Sequence, residues 1–166
     1  MTLTMTGDIK IRWNLEHMTG DFLLEDNDLE TDEGLGNAVL VSVFTDRRAR
    51  KDQRLPDPTT DDLRGWWGDT YSKTFNDPDG SHLWLLEREK TEATVIPRCE
   101  QYVNQALQWM IDDGVVNKIE VKAFRLREPG QDMLGFRARM WRLGDVEPSV
   151  DLKFDNLWTA TFDEGE

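Results

Sequence analysis

A chain of 166 residues with 33 acidic and 20 basic side chains carries a formal charge of −13, which argues against a free nucleic-acid binder, because such proteins are usually basic. No apolar run approaches the roughly 18 residues of a membrane span, and the first eight residues lack the basic and apolar stretches of a secretory signal. The single Cys99 excludes an internal disulfide and suits synthesis in a reducing cytosol. Seven Trp and seven Phe can fill one core, so one domain is expected over 1–162, followed by a frayed acidic tail at 163–166.

Residues 8–14 alternate, with Ile9, Ile11 and Trp13 on one side and Lys10 and Arg12 on the other, the pattern of a half-buried strand. A second strand is expected at 22–25, with a turn at Asp26-Asn27-Asp28. Thr31, Asp32 and Glu33 read as a helix start, a capping hydroxyl followed by first-turn acids. The helix would run over 33–45, with Leu35, Val39 and Val43 at spacing four. The run from Val39 to Phe44 also suits a strand locally. Residues 46–80 hold Pro56, Pro58 and Pro78 among many Asp and Thr, so regular elements should be short. Within them lies Gly65-Trp66-Trp67-Gly68, two adjacent indoles that either plug the loop onto the core or meet a partner.

A short helix is expected over 83–90. A longer one should be capped by Thr94, with Pro97 in its first turn, where a missing N–H does no harm. Cys99, Tyr102, Val103, Ala106, Leu107, Met110 and Ile111 follow helical spacing up to a stop at Gly114. The remainder reads as β. Ile119, Val121 and Ala123 share one face of a strand over 118–127, and the phase then shifts to Phe124 and Leu126, which suggests a bulge. Glu128-Pro129-Gly130-Gln131 makes a turn. The return strand sets Leu134, Phe136, Ala138 and Met140 against Arg137 and Arg139, and a third strand carries Val150, Leu152 and Phe154. The fold class is therefore α+β, a few helices on a mainly antiparallel sheet with a C-terminal hairpin plus strand. No internal repeat or low-complexity segment stands out.

Signatures of chemistry are absent from the pattern. His17 and His82 lie far apart and away from other ligand types, so no metal site is expected; both read as surface or capping residues. A calcium loop from Asp26 fails at its sixth and twelfth positions, Thr31 and Asn37, and one from Asp77 fails at His82. There is no Gly-x-Ser-x-Gly elbow or phosphate-binding Gly-rich loop, and Cys99 reads as core. No cofactor is expected. Acids near Trp66 and Trp67 leave a glycan hydrolase as the enzyme alternative, and a small intracellular adaptor as another.

Charge is segregated. Up to Leu40, nine acids face Lys10 and Arg12. Between 117 and 142, Lys118, Lys122, Arg125, Arg127, Arg137, Arg139 and Arg142 face Glu120, Glu128 and Asp132. Such an acidic end and basic hairpin suit oriented contacts with partners or between copies, or two ordinary solvated faces. Asp46-Arg47-Arg48 follows the buried-looking helix, where arginine forks can pair across an interface or clamp to nearby acids.

An ordered set of segments carries a resemblance: Leu29-Glu-Thr-Asp-Glu-Gly-Leu35, Val43-Phe-Thr-Asp-Arg-Arg-Ala49, Leu63-Arg-Gly-Trp-Trp-Gly-Asp69, Gly80-Ser-His-Leu-Trp-Leu-Leu86, Ala106-Leu-Gln-Trp-Met110 and Asp113-Gly-Val-Val116. Together, over about residues 8 to 160, they resemble the Mu-like phage baseplate wedge proteins related to the sheath initiators of contractile tails. In that family an arginine often stands where Leu63 stands here, so one basic contact is missing. The resemblance implies a non-enzymatic virion protein of the tail baseplate, made in the host cytoplasm and present in several copies around the tail axis. It would join wedge proteins, start the sheath by strand addition and lie near tube or hub proteins, without contacting nucleic acid or membrane. The expected partner-binding residues are Arg47, Arg48, Trp66, Trp67, Lys122, Arg125, Arg137 and Arg139, the last two steering an acidic arm to the sheet edge.

Overall fold

The computed structural model describes residues 8–14, 19–22, 24–25, 28–32, 35–71, 79–89, 94–128, 131–155, 157 and 159–161. Its first strands are β1 (Asp8–Ile9), β2 (Ile11–Asn14), β3 (Thr19–Phe22), β4 (Leu24–Glu25), β5 (Asp28–Leu29) and β6 (Thr31–Asp32). They nest as antiparallel pairs, β2 with β3, β4 with β5 and β1 with β6. The strand expected at 8–14 is thus present but interrupted at Lys10, whose amide donates to the Glu30 carbonyl at 2.8 Å. The strand expected at 22–25 divides between the end of β3 and β4. Asp26 and Asn27 of the expected turn, like His17, lie outside the described residues, and Asp28 opens β5.

The first helix starts later than its capping signal suggests. Thr31 and Asp32 pair with Ile9 and Asp8 in the β1–β6 ladder, so they are not a helix cap. Helix α1 covers Gly36–Phe44, with Leu35 at the capping position. Its buried Asn37 explains the competition: the side-chain oxygen accepts from the Ile11 amide at 2.9 Å and the side-chain amide donates to the Ile9 carbonyl. A buried amide satisfied on both sides pins the N-terminal strands against the helix. Val39 and Val43 enter the core, whereas Val41 is 56% exposed, so α1 is covered on one side only.

Residues 46–71 are irregular, as the prolines require, apart from a 3₁₀ turn at Trp67–Tyr71. The helix expected at 83–90 is a shorter 3₁₀ turn, Leu83–Leu86, continued by single turns to Glu89. Leu83, Trp84, Leu85 and Leu86 are all buried, so packing on every side fixes this turn, not the hydrogen bonding of a longer helix. Helix α2 covers Val95–Asp112 with Thr94 at its N-cap position, where the Thr side chain makes no capping bond. Gly114 ends it at φ +72°, its amide donating to the Ile111 carbonyl and that of Val115 to the Met110 carbonyl. Val95, Cys99, Tyr102, Val103, Ala106, Leu107 and Met110 form its buried stripe; Ile111 is 36% exposed and lies outside it. Full burial pushes the Cys99 thiol up to about 12, so it is a packing group and a poor nucleophile.

The stripe packs on a sheet of β7 (Lys118–Glu128), β8 (Gln131–Trp141), β9 (Val150–Phe154) and β10 (Thr159–Thr161). Strand β8 is central, with β7 on one side and β9 and β10 in succession on the other, all antiparallel. Val121, Leu134, Phe136, Ala138 and Met140 face the helices. Phe136 stacks 4.9 Å from Phe154, whose ring meets Phe44 edge-on at 5.1 Å. The two helices on this antiparallel sheet make the fold α+β.

The expected bulge at Ala123 and Phe124 is absent. The ladder runs unbroken from Lys118↔Trp141 to Glu128↔Gln131. Phe124 instead sits on the face away from the helices, opposite Gly135, where a Cβ would come 2.6 Å from its ring. The phase change therefore marks a small apolar patch on the outer face, with no change of register.

Candidate partner-binding surface

The Trp-rich loop is built from its arginines outward. The Ala49 amide donates to the Leu63 carbonyl at 2.9 Å and the Arg48 guanidinium to the Arg64 carbonyl at 3.2 Å, tying 46–50 to 63–65. Leu63 packs against the core edge. Arg64, in the left-handed region at φ 50°, forms the clamp: it pairs with Asp46 at 2.9 Å and Glu87 at 3.2 Å and lies 4.6 Å over the Trp84 ring. Gly65 follows at φ +111°, where any Cβ would meet the Arg48 Cβ at 2.8 Å. This double kink turns the next residues outward.

The core-plug account of Trp66 and Trp67 does not hold. Their exposures are 42% and 74%, and Tyr71 is 78% exposed. The rings contact each other at 5.7 Å (Trp66–Trp67) and 6.2 Å (Trp67–Tyr71), an aromatic cluster that a partner can cover. The buried indole of this region is Trp84, whose Nε1 donates to the Arg47 carbonyl at 2.9 Å.

Beside the cluster is a cleft of about 710 Å³ lined by Arg47, Arg48, Ala49, Arg50, Asp69, His82, Gln105 and Gln108. Asp69 belongs to the same 3₁₀ turn as Trp67, which joins cluster and cleft. His82, read as a surface or capping residue, is half-buried and occupies the N-cap position of the Leu83–Leu86 turn, without a side-chain capping bond. Its Nε2 lies 3.2 Å from the Arg48 carbonyl, so that nitrogen carries the proton and donates, and its ring packs against Tyr102. Burial lowers its pKa most and the Arg47 and Arg50 charges lower it further, against the opposing Arg48 bond, so the ring is neutral. Arg50 pairs with Asp52 at 3.2 Å, with both groups exposed. Arg47 makes no ion pair or side-chain hydrogen bond among the described residues.

The basic hairpin divides between two faces. Lys122, Arg137 and Arg139 lie on the face away from the helices; Arg125 lies on the other, opposite Leu134. Arg137 and Arg139 are engaged within the chain. Asp151 accepts from the Arg137 Nε at 2.6 Å, and Glu120 pairs with Arg139 and, at 3.7 Å, with Lys118. The hydrogen bond from Arg137 is the main cause of a lowered Asp151 pKa, and the same bond raises that of Arg137. Lys122 is exposed directly opposite Arg137. The outer face is thus a lattice of alternating charge, and steering by Arg137 or Arg139 would begin by displacing an in-chain carboxylate.

The sheet's two edges differ. The Ala123 amide points away from β8 and donates to the Glu100 carboxylate of α2 at 3.0 Å, so the β7 edge is partly covered. By antiparallel alternation, Phe136 then bonds toward β9, which leaves the N–H and C=O groups of Asp151 and Lys153 on the outer edge of β9. Among the described residues no strand pairs with that edge, and no group of three or more His, Cys, Asp and Glu side chains comes together as a metal site. Arg64, Trp84, Glu100, Arg50 and His82 complete the surface but escape sequence reasoning. The Arg64-Gly65 step is the one local hint, because a kink there redirects the following indoles.

The family model for phage protein GP46 matches residues 35–145, which span α1, the Trp-rich loop, α2 and the β7–β8 hairpin. The chain is 41% identical over 121 residues to the baseplate protein gp46 of Escherichia phage Mu, covering 73% of this chain and 79% of that protein. It is 36% identical over 117 residues to the Mu-like prophage FluMu protein gp46 of Haemophilus influenzae, covering 70% and 76%. No solved structure matches. The chain belongs to the phage protein GP46 family.

Proposed function

We propose that this chain is a structural subunit of a phage tail baseplate, acting by assembly and not by turnover. The likeness to the Mu baseplate protein, with most of both chains aligned, supports the baseplate role. The observation that carries assembly is the exposed Trp66–Trp67–Tyr71 cluster, held outward by the Arg64 clamp. Aromatic groups set on a rigid frame are the usual anchors of protein interfaces. In this reading the cluster joins the wedge proteins, near tube or hub, in several copies around the tail axis. The open β9 edge accepts a strand of the sheath protein, its first ring growing from there.

Gold-conjugated antibody against the chain, applied to purified tails, tests the location. Label at the sheath-proximal baseplate supports the reading, and absence from both intact and disrupted tails overturns it. Strand addition has its own test in Lys153→Pro. Proline removes an outward N–H while leaving the β8 ladder intact, and edge positions tolerate it. Baseplates should form with normal amounts of the chain but carry no sheath; normal sheath length would exclude β9 as the docking edge. For the aromatic cluster, Trp67→Ala should leave the melting temperature nearly unchanged, because surface truncations stay within about 0.5 kcal/mol. In competition with wild type, its incorporation into tails should fall by a factor matching about 2 kcal/mol or more. Equal incorporation would remove the cluster from the interface.

A further inference from the structure

The cleft beside the aromatic cluster has a polarity that the assembly reading does not use. In a chain with 33 acids and 20 bases, Arg47, Arg48 and Arg50 converge on one hollow with His82. Of the carboxylates around them, Asp52 pairs with Arg50 at 3.2 Å and Asp69 accepts from the Asp79 amide at 3.1 Å. Arg47 is half-buried yet makes no ion pair among the described residues. A partly buried guanidinium in so acidic a chain ordinarily finds a carboxylate of its own. The opposite wall is Gln105 and Gln108 of α2, neutral amides able to donate to and accept from a peptide backbone.

The hollow continues past Arg47, Gln105 and Gln108 into a second one of about 450 Å³. There Val41 is 56% and Trp109 39% exposed, and the Trp109 Nε1 is fixed by donating to the Ser42 hydroxyl at 3.0 Å. Asp79, Asp112 and Asp113 also line this second hollow, and Asp112 accepts from the Gln108 side-chain amide at 3.0 Å. The two hollows share Arg47, Gln105 and Gln108, so the arginine-rich one adjoins one that holds Val41 and Trp109 among carboxylates. We propose that these joined hollows bind an extended acidic peptide segment of a neighbouring subunit, its carboxylates on Arg47, Arg48 and Arg50. Arginine forks match carboxylates in geometry. The carboxylates of the second hollow repel a further acidic stretch, which leaves apolar residues of the segment over Val41 and Trp109. Only one of the two hollows is basic, which fits a short acidic segment better than a polyanion such as nucleic acid.

The identity of the neighbour rests on the baseplate reading, but the binding does not, and a particle-free assay keeps the two separable. The full chain is titrated against fluorescein-labelled octaglutamate, with labelled octathymidylate alongside, and anisotropy is followed at low and raised salt. Octaglutamate should bind and weaken with salt. Arg47→Glu should weaken it roughly tenfold or more. Arg142→Glu, the same charge change at an exposed position just past β8, should stay within about twofold. Both variants should melt like wild type, since neither residue has an in-chain ion pair among the described residues; if Arg47→Glu fails to fold, Arg47→Gln takes its place with the same expectation. No octaglutamate binding by wild type, equal loss in both variants, or tighter binding of octathymidylate would each overturn the proposal.

Discussion

Replacing Phe136 by alanine should remove about 3–5 kcal/mol of folding stability, the cost typical of deleting a fully buried phenylalanine. Phe136 is 0% exposed on the central strand, stacked on Phe154 at 4.9 Å and 6.4 Å from Phe44, which belongs to α1. The one ring thus joins three elements that are distant in sequence. Its neighbours on the strand, Ala138 and Met140, are equally buried and themselves packed, so the hole has little with which to collapse. Against the 5–15 kcal/mol that typically holds a domain together, roughly a fifth or more would go. Urea unfolding followed by circular dichroism measures it, the midpoint falling with the slope unchanged. A loss below about 1 kcal/mol would mean that Phe136 is not the centre of the core.

How far the sequence is legible follows from which force decides each element. The α2 stripe from Val95 to Met110 was readable because burial alone places it, and the same holds for Leu134, Phe136, Ala138 and Met140 on β8. The true helix start is not legible at Thr31, because a capping signal is local, whereas the ladder to Ile9 and the bonds of Asn37 to Ile9 and Ile11 come from residues more than twenty positions away. The phase shift at Phe124 needs no bulge, because its ring is accommodated on the outer face, over Gly135 and beneath the Lys153 ammonium at 5.3 Å. Among site residues, types were legible and partners were not. Arg47 was named as clamp or contact, but the clamp is Arg64, whose partners Asp46 and Glu87 stand 18 and 23 positions away. Arg137 and Arg139 face outward as alternation requires, yet the pairing of β9 with β8 brings Asp151 to Arg137, and that of β7 brings Glu120 to Arg139.

Gly80→Ala should be nearly as costly as the core truncation, by a different route. Gly80 has φ +92°, and a Cβ there would stand 2.3 Å from the Thr45 carbonyl oxygen and 3.1 Å from the Arg47 amide nitrogen. These are backbone atoms and cannot swing aside like the end of a side chain. They are also bonded in place: the Ser81 amide donates to Thr45, the Arg47 amide to Ser81, both at 2.9 Å, and the Ser81 hydroxyl to Val43 at 2.6 Å. Left-handed backbone at a non-glycine residue costs about 1–2 kcal/mol and a forced steric insertion about 1–3 more, so a total of roughly 2–5 kcal/mol is expected. Gly144 separates the two contributions. It has the same φ of +92°, but nothing lies within 4 Å of its added Cβ. Gly144→Ala should therefore lose only the conformational part, and each kcal/mol moves the melting midpoint by roughly 2–4 °C in a chain of this size. If the two variants melt together, the contact with Thr45 yields easily and the bridge is soft. If Gly80→Ala falls well below Gly144→Ala, the bridge is rigid. The residue next along that bridge is Arg47, so octaglutamate binding by the folded Gly80→Ala protein should weaken as well, while binding by Gly144→Ala should not. That pairing of outcomes would tie the local backbone to the cleft: the same three hydrogen bonds that make Gly80 irreplaceable hold Arg47 at the cleft wall.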